Sequence, residues 1–222
     1  MIERWKNELN NRGFEQQPGD KKSFARGEGF FRQTIWEGRN RTEKNKALIY
    51  LAVSLHDRFL QTPDYIAALV AHLRTDEVAS VDEGGGRWWE ESEAGDACAT
   101  LLKHGVRWLE EYSEPRRMID YLEGCMRDGV REERGGPGGW GARVAERLFF
   151  RQQGLAGPSI RRPPVYNYYL ALVYNEVGDF NKACQAAHKW LAHVEKSRQP
   201  GEPQRTLHQL SQMACPQQGG AQ

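Results

Sequence analysis

The chain has 222 residues, of which 39% are hydrophobic and 10% aromatic, so it can form one sizeable core or a domain with an extension. Its formal net charge of +1 gives no overall field that would attract nucleic acid or an anionic membrane. The longest apolar run is too short to span a bilayer. The four cysteines are widely spaced and no signal peptide is recognisable, so we expect free thiols and a cytoplasmic location.

The first 57 residues change from helical to strand periodicity. Residues 2–12 predict a short helix that ends at Gly13. Strands are predicted near 22–26 and 29–38, and the segment "KALIYLAVSLHD" has the clearest alternation of apolar and mixed positions in the chain. The short, glycine-containing connections favour an antiparallel sheet.

The middle of the chain is predicted to be mainly helical. The pair Thr62 and Pro63 is typical of a helix start, so a helix is expected over 63–74, although its small and apolar residues also allow a strand. Residues 76–87 are expected to form a loop. Amphipathic patterns predict further helices over 97–112 and from Pro115 onward.

Two breaks rich in glycine and proline interrupt the second half of the chain. Between them, residues 142–152 predict a short amphipathic helix. A helical hairpin is expected over 166–195, and the tail after it is expected to be mobile, with one short helix near 207–213.

The hairpin carries the residue order of a tetratricopeptide unit, in which small residues let two helices approach and a glycine forms the turn. The matching positions are Leu170, Ala171, Tyr174, Gly178, Asp179, Phe180 and Ala183. No second clean copy is present, and a repeat array needs about three units. We therefore expect a single hairpin that packs, as a lid or docking arm, against the helices at 97–128 and 142–152.

These elements predict an α+β fold, with a small antiparallel sheet and packed helices followed by a helical extension that contains the tetratricopeptide-like hairpin. The expected divisions are an α+β domain at 1–132, a linker with a short helix at 133–164, the hairpin at 165–195 and the tail at 196–222.

No recognisable motif for catalysis, phosphate binding or metal binding is present. His188 and His193 are five residues apart on a predicted helix, a poor spacing for shared metal ligation. We therefore expect no catalytic residues, no metal and no cofactor.

Several arginine, glutamine and tryptophan residues are candidates for binding. In a strand, Arg32 and Trp36 lie on one face, where they could bind an anion, a base or a peptide, or simply form a cation–π pair on the solvent side of the sheet. Of the pair Trp88-Trp89, one ring is expected to be buried and the other exposed, where it could anchor a partner; the alternative is that the pair packs beneath the glycine loop. The pair Arg161-Arg162 could bind an acidic partner, or it belongs to a solvated linker. The full candidate set is Arg26, Arg32, Gln33, Trp36, Trp88, Trp89, Arg161 and Arg162.

The order of features over about the first 130 residues resembles a DUF4304-like family of bacterial domains of unknown function. The positions that carry this resemblance are Gly13, Phe14, Phe24, Arg26, Gln33, Trp88, Trp89, Trp108, Leu109 and Glu110. It implies an α+β fold without a known activity, and a binding or immunity role in bacterial conflict systems. The helical pattern over 59–80 departs from it, because the family leads us to expect more strand there.

The sequence therefore predicts a non-enzymatic protein–protein interaction module. The family resemblance implies that this module is an immunity or accessory protein of a bacterial conflict system. The alternatives are a nucleic-acid-binding protein that uses the basic and aromatic segment 21–46, and an enzyme whose site is assembled from dispersed residues. A decisive structural observation is whether the hairpin covers the sheet face that carries Arg32 and Trp36.

Overall fold

The computed structural model describes residues 1–39, 43, 45–57, 64–80, 86–128 and 165–197. The predicted helix at 142–152, the breaks on either side of it and the predicted short helix at 207–213 lie outside these residues.

Seven described strands form one antiparallel sheet, in which β1 to β6 are neighbours in chain order and β7 pairs with the start of β4. The strands are β1 (Glu15–Gln17), β2 (Asp20–Arg26), β3 (Phe31–Arg39), β4 (Lys46–Asp57), β5 (Asp64–Leu73), β6 (Val78–Ser80) and β7 (Trp89–Glu90). The predicted antiparallel sheet is confirmed, and β4 covers the whole segment that alternates in the sequence.

One short helix precedes the sheet in the sequence, and the other helices follow β7. The described helices are α1 (Lys6–Asn10), α2 (Ala94–Thr100), α3 (Val106–Tyr112), α4 (Pro115–Asp128), α5 (Val165–Glu176) and α6 (Phe180–Ser197). A 3-10 turn precedes α1, and a π-helical turn, Leu101–Gly105, joins α2 to α3. The fold is α+β, as the sequence predicts.

The core lies between one face of the sheet and the helices. Alternate residues of β4, among them Ile49, Leu51 and Val53, are completely buried with residues of α2, α3, α4 and α5. At Gly105 an added Cβ would lie 2.9 Å from a methyl of Leu51, so this glycine lets the helix approach the sheet closely. The described helices therefore cover this face, which we call the core face.

The predicted helix at 63–74 is wrong, because residues 64–73 form β5 between β4 and β6. The sequence is misleading here because of a β-bulge. Val53 pairs with Leu69 and Ser54 pairs with Ala67, so Ala68 has no partner across the ladder. The bulge places Ile66 and Leu69, three residues apart as in a helix, on the same face.

Residues 76–87 are also not a simple loop, since β6 lies within this segment and pairs with β5.

A buried carboxylate ties the N-terminal residues to the sheet. The Glu37 side chain accepts hydrogen bonds from the Met1 amino group at 2.9 Å, the Ile2 amide at 3.0 Å and Arg39 Nε at 2.8 Å. Burial alone would raise the pKa of Glu37, but these bonds outweigh it and lower the pKa from 4.5 to about 2. Glu37 is therefore charged and paired at neutral pH.

The hairpin is present as two helices, α5 and α6, joined through Gly178, whose φ of +80° is favourable only for glycine. Helix α5 is buried on most sides and packs on α4, α6 and the end of β4. The Tyr168 hydroxyl donates a hydrogen bond to the fully buried carboxylate of Asp57, and burial raises the pKa of Tyr168 well above its usual value. The hairpin is thus joined to the core face of the sheet.

The expectation of free thiols holds for Cys98 and Cys125. It is wrong for Cys184 on α6, which is disulfide-bonded.

None of the described helices is both long enough and apolar enough to cross a membrane.

Candidate functional site

The face opposite the core carries a row of stacked aromatic side chains. Arg32 and Trp36 lie on this face, as predicted, and neither is packed under a described helix. The Trp36 ring stacks on Tyr50 with centroids 5.0 Å apart and an interplanar angle of 6°, and Tyr50 in turn contacts His72 at 4.7 Å. The row crosses β3, β4 and β5, and Trp36 and Tyr50 remain half-buried within it. The hairpin lies on the other side of the sheet.

A glycine makes the stacking possible. At Gly38, an added Cβ would lie 2.5 Å from the ring of Tyr50, so the ring occupies the space that any other residue would need. His72, at the end of the row, is buried and its Nδ1 makes no hydrogen bond. Burial and the neighbouring charge of Arg74 lower the pKa of His72.

Arg32 pairs with residues other than Trp36. Its guanidinium lies 5.2 Å from the ring centroid of Tyr65 and donates a hydrogen bond to the side chain of Gln17. The proposed cation–π contact on this face is therefore made with Tyr65, and Arg32 is already engaged within the chain.

Arg26 and Gln33 lie on the core face, separated from Arg32 and Trp36 by the sheet. Arg26 Nε donates to Gln33 Oε1 at 2.6 Å, and a terminal nitrogen of Arg26 lies 2.8 Å from Glu110. Gln33 Nε2 donates to the Leu109 carbonyl at 3.0 Å and to Ser113 Oγ at 2.8 Å. These bonds tie the sheet to α3, so these two candidates lie apart from Arg32 and Trp36.

The tryptophan pair divides as predicted. Trp89 is buried, receives the Arg87 guanidinium 4.2 Å from its ring centroid, and donates from Nε1 to the Leu73 carbonyl at 3.4 Å. Trp88 is 40% exposed. Trp89 therefore belongs to the core, whereas Trp88 is available at the surface. Arg161 and Arg162 lie outside the described residues.

A cleft of about 320 Å³ opens between α4 and α6, above α5. Its floor is one stripe of α5, its first wall is the end of α4, and its second wall is a stripe of α6 with the spacing i, i+3, i+4 and i+7. The described residues that line it are Asn167, Leu170 and Tyr174 on α5, Glu123 and Met126 on α4, and Lys182, Gln185, Ala186 and Lys189 on α6.

The cleft combines apolar surface with one amide side chain. Leu170 and Ala186 are buried, and Met126 is exposed at the rim. Asn167 is only 6% exposed, and its side chain lines the cleft without a hydrogen bond to a described residue. Asn167 therefore offers an NH2 donor group and a carbonyl acceptor to whatever enters the cleft.

The charged residues of the cleft are not equally available. Glu123 accepts a hydrogen bond from the Tyr174 hydroxyl, and burial and this bond raise the pKa of Tyr174. Lys182 lies 5.2 Å from the Tyr174 ring centroid and 3.9 Å from Asp179, in an ion pair with both ends exposed. Lys189 forms no ion pair with a described residue. The cleft therefore presents two ammonium groups, while its own carboxylate is already bonded.

Sequence reasoning missed this cleft, although signals for its parts are present. Asn167 is the only polar amide within the apolar first half of α5, and the positions of Lys182, Gln185 and Lys189 form one stripe of α6. Neither pattern reveals that α4 lies opposite.

Among the described residues, no group of three or more His, Cys, Asp or Glu side chains is placed to hold a metal ion.

Comparisons with protein-family models, with curated proteins and with solved structures give no match. The class that the fold and the site define is therefore an α+β domain with a helical cleft, and both the DUF4304-like resemblance and the tetratricopeptide resemblance stay predictions.

Proposed function

We propose that this chain is a protein–protein interaction module that binds a segment of a partner protein in the cleft between α4 and α6. The observation that carries the proposal is Asn167, whose amide lines the cleft beside apolar side chains and forms no hydrogen bond with a described residue. A peptide backbone offers both the carbonyl and the N–H group that such an amide needs. The volume of about 320 Å³ also falls in the usual range of binding pockets.

The cations of the segment 21–46 support protein binding over nucleic-acid binding. Of the described residues there, Arg26, Arg32 and Arg39 all have partners within the chain. Lys46 likewise pairs with Glu43 at 2.9 Å. Nucleic-acid binding needs cations that are free to neutralise phosphate groups, and most of the described cations in this segment are already paired within the chain.

An enzymatic role receives less support. The cleft does hold two titratable groups in contact, Glu123 and Tyr174. However, the pKa of Tyr174 is raised away from neutrality, which makes its hydroxyl a poor general acid or base. A role in bacterial conflict systems stays an expectation from the sequence resemblance.

The proposal is tested by selecting random 12-residue peptides displayed on phage against the immobilised full chain. Enriched peptides are synthesised, and their affinities are measured by fluorescence anisotropy. We expect Gln185→Trp, which places a large ring in the cleft, to abolish binding. Replacing Asn167 by Leu should weaken binding about fivefold, the effect of losing one hydrogen bond of about 1 kcal/mol.

Two controls separate blocking from misfolding. Arg107→Trp adds the same ring at an exposed position of α3 and should leave binding unchanged. Circular dichroism should show each variant folded. If no enriched peptide responds to the changes at Gln185 and Asn167, the cleft is not a binding site and the proposal is wrong.

A further inference from the structure

We infer that the cleft selects an extended acidic segment, with a carboxylate near each end of the cleft, and that Lys182 and Lys189 determine this specificity. The inference rests on the proposed function, since it names the chemistry of the segment that the same cleft would bind.

The charge of the cleft gives the first argument. Lys182 and Lys189 are seven residues apart on α6, which places them two turns and about 10 Å from each other on the same side. Lys189 forms no ion pair with a described residue, and the pair between Lys182 and Asp179 is exposed and weak. Among the described residues that line the cleft, Glu123 is the one carboxylate against two ammonium groups, and it already accepts a hydrogen bond from Tyr174. A ligand with carboxylates therefore complements this wall, whereas a basic ligand does not.

The floor of the cleft gives the second argument, because it carries the side chain of Asn167. An extended chain leaves its backbone N–H and C=O groups free, and Asn167 can bond to them, whereas a helix has already paired its own.

The spacing of the carboxylates follows from strand geometry. Side chains of an extended segment alternate between two sides, and residues i and i+4 lie on one side about 13 Å apart. This distance is about 3 Å longer than the separation of about 10 Å between Lys182 and Lys189 on α6, and their flexible side chains can span the difference. The side chains between them would meet Leu170 and Met126.

The chain's own undescribed segments do not have this chemistry. Residues 129–164, which connect α4 to α5 in the sequence, contain seven arginines and three glutamates. Residues 198–222 contain two arginines and one glutamate. Both are basic, so charge complementarity favours a partner protein over either segment of this chain.

The test uses the peptides selected from the phage library on the full chain. We expect enriched peptides to be acidic and to bind less tightly at higher salt. The double variant Lys182→Glu/Lys189→Glu should lower affinity about tenfold or more, because two attractive pairs become repulsive. Lys103→Glu, a charge reversal at an exposed position away from the cleft, should change affinity less than twofold. Peptides whose acidic residues are replaced by Lys should recover affinity for the double variant.

The outcomes separate this inference from the proposed function. Peptides that bind in the cleft but are not enriched in Asp or Glu, and that tolerate the double variant, would overturn the acidic specificity while the binding function stands. If the peptides also bind the Gln185→Trp variant with unchanged affinity, both the acidic specificity and the proposed binding function are overturned. A synthetic peptide of residues 140–154 that competes with the selected peptides would identify the chain itself as the occupant and also overturn the inference.

Discussion

Replacing Gln33 by Ala should test whether this residue holds the sheet and α3 together. Gln33 is only 8% exposed, and its amide makes three hydrogen bonds, to Arg26, Leu109 and Ser113. The Leu109 carbonyl keeps a second donor, Ser113 Oγ at 2.7 Å, after the change. Arg26 keeps its pair with Glu110.

The size of the effect follows from these bonds. The two bonds that Gln33 donates contribute about 1 kcal/mol each, and the bond from the charged Arg26 contributes about 1.5–3 kcal/mol. Releasing a fixed Gln side chain returns about 1.5–2 kcal/mol of conformational entropy. We therefore expect Gln33→Ala to lower the free energy of unfolding by about 1.5–3.5 kcal/mol.

Urea denaturation measures this loss as a lower midpoint with an unchanged m value, and the thermal midpoint should fall by about 3–14 °C. Gln185→Ala is the matched control, since this exposed glutamine forms no hydrogen bond with a described residue and should change stability by less than about 0.5 kcal/mol. If Gln33→Ala also costs less than about 0.5 kcal/mol, the bonds to α3 contribute nothing net and the reasoning is refuted.

Three further predictions concern pH and the aromatic row. The pKa of Glu37 is lowered to about 2 in the folded state, so the stability that Glu37 contributes is complete above pH 4.5 and is lost as the pH falls towards 2. Acid denaturation of Glu37→Gln should therefore lack the loss of stability between these pH values. Because the folded-state pKa of His72 is lowered from 6.5, the free energy of unfolding should fall as the pH drops below 6.5, and a pH titration of His72→Phe should lack this slope. Gly38→Ala should displace the Tyr50 ring and lower the free energy of unfolding, measured in urea, by about 1–3 kcal/mol. It should also weaken the near-ultraviolet circular dichroism signal of the stacked Tyr50 and Trp36 rings, and an unchanged spectrum would contradict the close contact between Gly38 and Tyr50.

The sequence by itself determined the elements whose signals are local. The alternation over 46–57 predicted β4, because one face of this strand is buried by the core. Gly178 predicted the hairpin turn, because its positive φ disfavours other residues. The division between Trp88 and Trp89 was predicted because adjacent residues of a strand or a helix start point to different sides, and in the structure Trp89 is the buried ring at the start of β7.

Tertiary structure decided the features that depend on a second element. The bulge at Ala68 gives β5 a spacing of apolar residues that looks helical, and only pairing with β4 and β6 makes it a strand. Arg26 and Gln33 carry polar side chains typical of a surface, yet α3 covers them and satisfies their hydrogen bonds.

The cleft depends on tertiary structure for the same reason. Glu123, Asn167 and Lys189 come from three helices, and they line one cleft because α4 and α6 both pack against α5. Periodicity shows which face of a helix is apolar, but it does not show which helix lies opposite. The sequence therefore determined the α+β class and the hairpin, and packing decided where the cleft lies.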